Sequence, residues 1–274
     1  MMNNPTKLPI VVGIDGSKQA GHAVLWAVDE AVDRDVPILL VHVVDSHAED
    51  LERAYAHARH ALHEAFVAAE ACGGAVKLES TILQGDTVDQ LREVSRLGQL
   101  ICVGSRGLDD SPHNERGSTA AALAEVASTS VAIVRRRHPH RPLTDPLWIV
   151  AAVDESVGGS AVLEAAINEA TLRQAPVLAL TRWPSAMTTE SDEKRHVRTR
   201  LAQYLADARE DDGADVQIHA LPISEHIAGV LAQSANIDQL VIVDANDPVL
   251  MAEAVGPKAR KVLRHTNCSV LVLR

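Results

Sequence analysis

Aromatic side chains are nearly absent from this chain, with one phenylalanine, two tyrosines and three tryptophans in 274 residues. A core built on rings is excluded, and a function resting on aromatic stacking is disfavoured. Cysteine is also scarce. Cys72, Cys102 and Cys268 are an odd number without C-x2-C spacing, and two of them lie in or beside apolar runs, which points to a reducing compartment. Positive charge is in deficit: 26 Lys+Arg against 37 Asp+Glu leave a net charge of −11. That field opposes nucleic acid and anionic membranes. Long apolar runs are missing too. The longest, Val36 to Val44, is far too short to cross a bilayer, and Met1 to Pro9 carries no signal-peptide core. A cytoplasmic protein is expected, with neither nucleic acid nor a membrane as partner.

What is present is 46% hydrophobic, dominated by Val, Leu, Ile and Ala, and long enough for two domains. The chain also resembles itself. Asp15 and Asp154 stand 139 residues apart, and the same offset relates Glu30-Ala31 to Glu169-Ala170, Pro37 to Pro176, Gly117 to Gly256, and Ser130-Val131 to Ser269-Val270. Val103 matches Val243 one residue out of step, so a residue is inserted before that point and lost again before Gly256. So stable an offset argues for duplication of a domain-sized unit.

Within the first copy, apolar runs of strand length alternate with helical patterns. Ile10 to Ile14, Val36 to Val43, Val76 to Leu83, Leu100 to Val103 and Val131 to Val134 read as strands. Ser17 to Arg34, Ala48 to Ala71, Thr87 to Leu97 and Ser118 to Ala127 read as helices. In the second of these, Leu51, Tyr55, Ala58, Leu62, Ala65 and Ala69 form one apolar stripe that is expected to face the sheet. The second copy repeats the order, with helices over 161–173, 194–209, 227–234 and 259–264. The fold class is therefore α/β: two tandem Rossmann-like domains, each a five-stranded parallel sheet with helices on both faces. The expected boundaries are 1–135 and 147–274. Between them 136–146 carries three prolines and a cluster of bases, which marks a linker.

The segment richest in chemistry follows the fourth strand. Gly104-Ser105-Arg106-Gly107 is followed, after nine residues, by Gly117-Ser118-Thr119 at a helix start. Glycines let backbone N–H groups approach phosphate oxygens, and a helix N-terminus adds free donors and the positive end of a dipole. Asp15 falls at the end of the first strand and can face the same crevice, because ligands of open parallel sheets bind beyond the carboxyl ends of strands. A carboxylate suits ribose hydroxyls or an adenine amine but repels phosphate. Either glycine fragment alone is an ordinary turn or cap, and Asp15-Gly16-Ser17 alone is an ordinary helix start with Ser17 as N-cap. For Val41, core packing is the expected role.

Together, the Gly-x2-Gly-x9-Gly-Ser pattern after a strand, the early Asp15 and the duplicated domain resemble a tandem universal stress protein of the ATP-binding branch. The resemblance implies that Asp15 contacts the nucleoside, that Val41 lies near adenine, and that Gly104, Gly107, Gly117, Ser118 and Thr119 hold the phosphates of ATP. Gly13, Ser105 and Arg106, in the same two segments, complete the candidate set. It further implies a regulator of stress response or growth, with an unidentified protein partner, and domain pairing through 131–134 and 270–273, within one chain or as a homodimer. In the second copy Asp244 and Asp247 replace Gly104 and Gly107, and Pro257 replaces Ser118. One ATP per chain is therefore expected, in the first copy. Asp109, Asp110 and Glu115 make the loop acidic; solvated loop acids are the expected reading, and a bound Mg²⁺ that offsets their charge is the alternative.

Other chemistry is weaker. His57, His60 and Glu64, with Arg53, have metal-like spacing on a helix but read as a solvated polar face, so no metal site is expected. His138-Pro139-His140 reads as linker, Cys102 as core, and Lys258, Arg260, Lys261 and Arg264 as a solvated basic face. There is no G-x4-GK[ST] loop and no lysine in the phosphate segment, so no catalytic residue is assigned. A slow ATPase and a nucleotide-free scaffold are the alternatives to an ATP-binding regulator.

Overall fold

The computed structural model describes residues 7–73, 75–107, 119–135, 147–153, 158–182, 216–223, 226–233, 237–263 and 266–274. The chain divides into two compact units, one through His140 and the other from Arg141. The predicted linker 136–146 lies outside the described residues, as does the predicted helix 194–209.

The first unit runs β1 (Ile10–Gly13), α1 (Lys18–Arg34), β2 (Ile38–Val44), α2 (Leu51–Glu70), β3 (Leu78–Gln84), α3 (Thr87–Ser95), β4 (Leu100–Gly104), α4 (Thr119–Val126) and β5 (Ser130–Val134). Its strands pair in the order β3-β2-β1-β4-β5, all parallel. From β1 the chain winds outward to β2 and β3, then returns to the other side of β1 for β4 and β5. Right-handed crossovers place helices from the two directions on opposite faces, and α1 packs with α2 while α3 packs with α4. Strands covered on both faces must be apolar throughout. Ile10, Val11, Val12, Ile101 and Cys102 are indeed fully buried, so Cys102 is core.

Short polar side chains set the helix starts. Ser17, Asp50 and Asp86 are the N-caps of α1, α2 and α3, each accepting backbone N–H groups of the first turn. The buried stripe of α2 is Ala58, Ala61, Leu62, Ala65 and Ala69. Leu51, expected in that stripe, is the first residue of the helix and is 40% exposed.

The second unit runs β6 (Leu147–Val153), α5 (Gly158–Arg173), β7 (Val177–Arg182), β8 (Ile218–Ile223), α6 (Ile227–Gln233), β9 (Asp238–Asp244), α7 (Pro248–Ala254), α8 (Pro257–Leu263) and β10 (Asn267–Leu273). The order β8-β7-β6-β9-β10 repeats that of the first unit, again parallel. The correspondence reaches single residues. Asp35 and Gln174, 139 positions apart, both follow their helix with φ of 51° and 50°. Buried Glu30 and Glu169 each pair with an arginine four residues on, Arg34 at 2.7 Å and Arg173 at 3.0 Å. Helix α7 was not legible in the sequence pattern.

Where α1 crosses the end of β4, backbone meets backbone. A Cβ on Gly104 would lie 2.8 Å from both the Ala20 nitrogen and the Gln19 carbonyl carbon. No side-chain rotation relieves contacts with main-chain atoms, so glycine is required there by packing, whatever else the position does. Gly104→Ala is expected to destabilise the ligand-free protein by about 1–3 kcal/mol, the range of overpacked cores, read as a lower denaturation midpoint at unchanged slope.

Candidate functional site

The strand order reverses between β1 and β4, and their carboxyl ends open a crevice between neighbouring crossovers that leave in opposite directions. The turn after β1 enters it first. Asp15 Oδ1 accepts the Ser17 N–H at 2.8 Å, closing a tight Asx-type turn, and Gly16 between them has φ 86°, a left-handed value that glycine adopts without steric cost. Ser17 then joins two elements. Its Oγ accepts the Ala20 N–H at 3.1 Å to cap α1 and donates to the Arg106 carbonyl at 3.3 Å.

That second bond ties the β1 turn to the segment after β4. Gly107 faces Asp15 so closely that a Cβ there would sit 2.9 Å from Asp15 Oδ2. One carboxylate oxygen is thus used by the turn and the other is turned to the β4 loop. Ser105 is anchored by its N–H donating to the Val134 carbonyl at 2.8 Å, while its enclosed Oγ has no partner among the described residues. An enclosed hydroxyl without a partner costs about 1–3 kcal/mol unless something else bonds to it.

The structure brings together Gly13, Asp15, Gly104, Ser105, Arg106 and Gly107, predicted from two distant segments. Gly13 is the last residue of β1 and is closely packed, a Cβ there meeting Val103 Cγ1 at 3.1 Å. Thr119 opens α4. Gly117 and Ser118 lie outside the described residues, as do Asp109, Asp110 and Glu115. Val41 is fully buried, as its core-packing role requires, and its carbonyl accepts the Ile14 N–H at 2.8 Å within the sheet ladder.

Two histidines enlarge the site. His42 of β2 is 7% exposed and its Nδ1 has no partner among the described residues. His57 of α2 donates from Nε2 to the Asp15 carbonyl at 3.2 Å and meets His42 edge to face, ring centres 5.6 Å apart. Helix-face spacing places His57 on a solvated face with His60 and Glu64; it is indeed exposed, but it also reaches the β1 turn, while His60 pairs with Glu64 at 3.3 Å. His42 was missed because one histidine in an apolar strand run reads as core. Burial, and then the neighbouring His57, hold its pKa below the ordinary histidine value, with Asp15 acting in the opposite direction. Among the described residues, no group of three or more His, Cys, Asp and Glu side chains is placed to hold a metal.

The second unit arranges the same region differently. Asp247 is the N-cap of α7, its Oδ1 accepting the Val249 and Leu250 N–H groups at 2.8 Å. Asp244 Oδ1 accepts from the N–H and side-chain amide of Asn246 at 2.9 and 3.0 Å. These carboxylates already occupy backbone donors that an anion would need. Asp154 lies outside the described residues.

The chain is thus built from doubly wound α/β units, the first with a crevice at its switch point. The family model described as "Universal stress protein family" matches residues 8–135. Universal stress protein Rv2624c of Mycobacterium tuberculosis is 39% identical over 273 residues, 98% of this chain and 97% of the relative. Universal stress protein Rv3134c of the same organism is 35% identical, covering 97% and 95%. A crystal structure of a universal stress protein from Archaeoglobus fulgidus is similar in fold, with TM-score 0.72 at 16% identity, over 97% of this chain and 96% of that one. The chain belongs to the universal stress protein family. No helix among the described residues is long and apolar enough to cross a membrane.

The lowered pKa of His42 fixes the sign of a pH effect. The unfolded chain takes up this proton more readily than the folded one, so stability is full above the unfolded value of about 6.5 and falls as pH drops from there through the folded value. His42→Leu is expected to flatten that part of the profile, measured as unfolding free energy between pH 8 and 5; an unchanged slope would assign the effect to other groups.

Proposed function

We propose that the first unit binds ATP at the crevice between β1 and β4, and that nucleotide occupancy regulates a stress or growth response through a protein partner. The observation that carries the reading is the meeting of Asp15 with Gly107. A carboxylate oxygen that the turn does not use stands against exposed Gly107. In this reading Asp15 Oδ2 accepts from the nucleoside. The Ser105 hydroxyl, enclosed and without a partner among the described residues, and the backbone at Gly107 face the phosphates. Gly117, Ser118 and Thr119 complete the cradle by the family pattern, and Arg106 supplies positive charge to the loop. Gly13 and Gly104 act by admitting close packing, and Val41 lies beneath the site. A Mg²⁺ accompanying ATP would be carried with the phosphates; no protein ligand is assigned to it.

The second unit supports the asymmetry. A phosphate brought near Asp247 would displace a carboxylate from two N–H groups and then face its charge, at a cost on the order of 1 to 4 kcal/mol per contact near 4 Å. One ATP per chain is therefore expected by calorimetry of the full chain, and two equivalent sites would contradict the reading. Asp15→Asn keeps an oxygen for the Ser17 N–H but removes the charge. It is expected to weaken ATP binding about tenfold, the value of one charge-assisted hydrogen bond, with the melting temperature little changed. Equal affinity in wild type and variant would remove Asp15 from the ligand contacts.

A further inference from the structure

His57 has a role that neither its helix nor its exposure explains. An exposed histidine on a helix ordinarily samples several rotamers in solvent. This one is held by two elements other than its own. A carbonyl only accepts, so the 3.2 Å contact with the Asp15 oxygen fixes the proton on Nε2. The ring also lies over the bare Cα of Gly16, where a Cβ would stand 3.2 Å from its Cε1 and 3.3 Å from its Nε2. On another side the buried ring of His42 meets it at an interplanar angle of 73°. The imidazole is bracketed between β2 and the turn after β1, and the turn it grips is the one that aims Asp15.

We infer that His57 is a positioning residue of the crevice: reaching from α2, it clamps the Asp15–Gly16 turn and so fixes the carboxylate direction that faces Gly107. The turn has only one internal side-chain bond, from the Ser17 N–H to Asp15 Oδ1. That bond closes the turn but leaves it free to pivot on Gly16. The His57 bond to the main-chain oxygen of Asp15, with the ring against Gly16, opposes the pivot. The effect on affinity rests on the nucleotide reading above, whereas the clamp does not.

The test uses the full chain, isotope-labelled, as wild type, His57→Ala and His57→Gln. Backbone amide spectra without ligand read the clamp. His57→Ala is expected to shift the Asp15, Gly16 and Gly107 amides, and His57→Gln, whose amide still donates, to restore them toward wild type. Calorimetry with ATP reads the consequence. His57→Ala is expected to bind about tenfold more weakly, the scale of one lost hydrogen bond, and His57→Gln to recover most of the loss. Changes confined to α2, with Asp15 and Gly107 unmoved, would overturn the clamp whether or not ATP binds. Amide shifts as expected with no ATP bound by wild type would uphold the clamp and remove the nucleotide reading instead.

Discussion

The crevice depends on how the two oxygens of one carboxylate are divided. Asp15 Oδ1 closes the turn that starts α1, and Oδ2 is left facing Gly107 across the gap between β1 and β4. Neither position would exist without the reversal of strand order at that gap, which separates the crossovers and leaves the carboxyl ends of two buried strands side by side. The remaining contacts follow from it: Ser17 joins the turn to Arg106, Ser105 is pinned to β5, and His57 leans on Gly16.

The two units share a topology but arrange the ends of β4 and β9 differently. In the first, Gly104-Ser105-Arg106-Gly107 end and follow β4, with Gly107 exposed beside Asp15. In the second, Asp244 and Asp247 satisfy their own local backbone, and the chain proceeds directly into α7. An N-terminus of a helix can be satisfied by its own side chain or by an external anion, and a capping aspartate selects the first. The repeat extends to Asp35 and Gln174 at the ends of α1 and α5, whereas the described segments after β4 and β9 differ.

Much of the frame was legible in the residues because strands β1, β2, β4, β6, β9 and β10 carry apolar runs of strand length, as strands covered on both faces do. Asp15 and Gly104 were legible as facing one crevice because each falls at the carboxyl end of a strand, and the order found here places β1 beside β4. The rest depended on contacts between elements, which periodicity along one element does not encode. Gly104 looked like a phosphate glycine, yet its strictest requirement is the backbone of α1, which would stand 2.8 Å from any Cβ there. His57 looked like part of a wet helix face, because nothing in the spacing of α2 shows that the Asp15 carbonyl lies within reach. Helix α7 was hidden by alignment to the first copy, where Asp247 read as the replacement of Gly107 rather than as an N-cap followed by proline at the first helical position.

The central claim is that one crevice, in the first unit, receives an adenine nucleotide. Amide spectra of the full chain during titration with ATP test it most directly. The account predicts saturable shifts at Asp15, Ser105 and Gly107, with Asp244 to Leu250 unmoved. Shifts centred on the second unit, or none at the Asp15 turn, would contradict it.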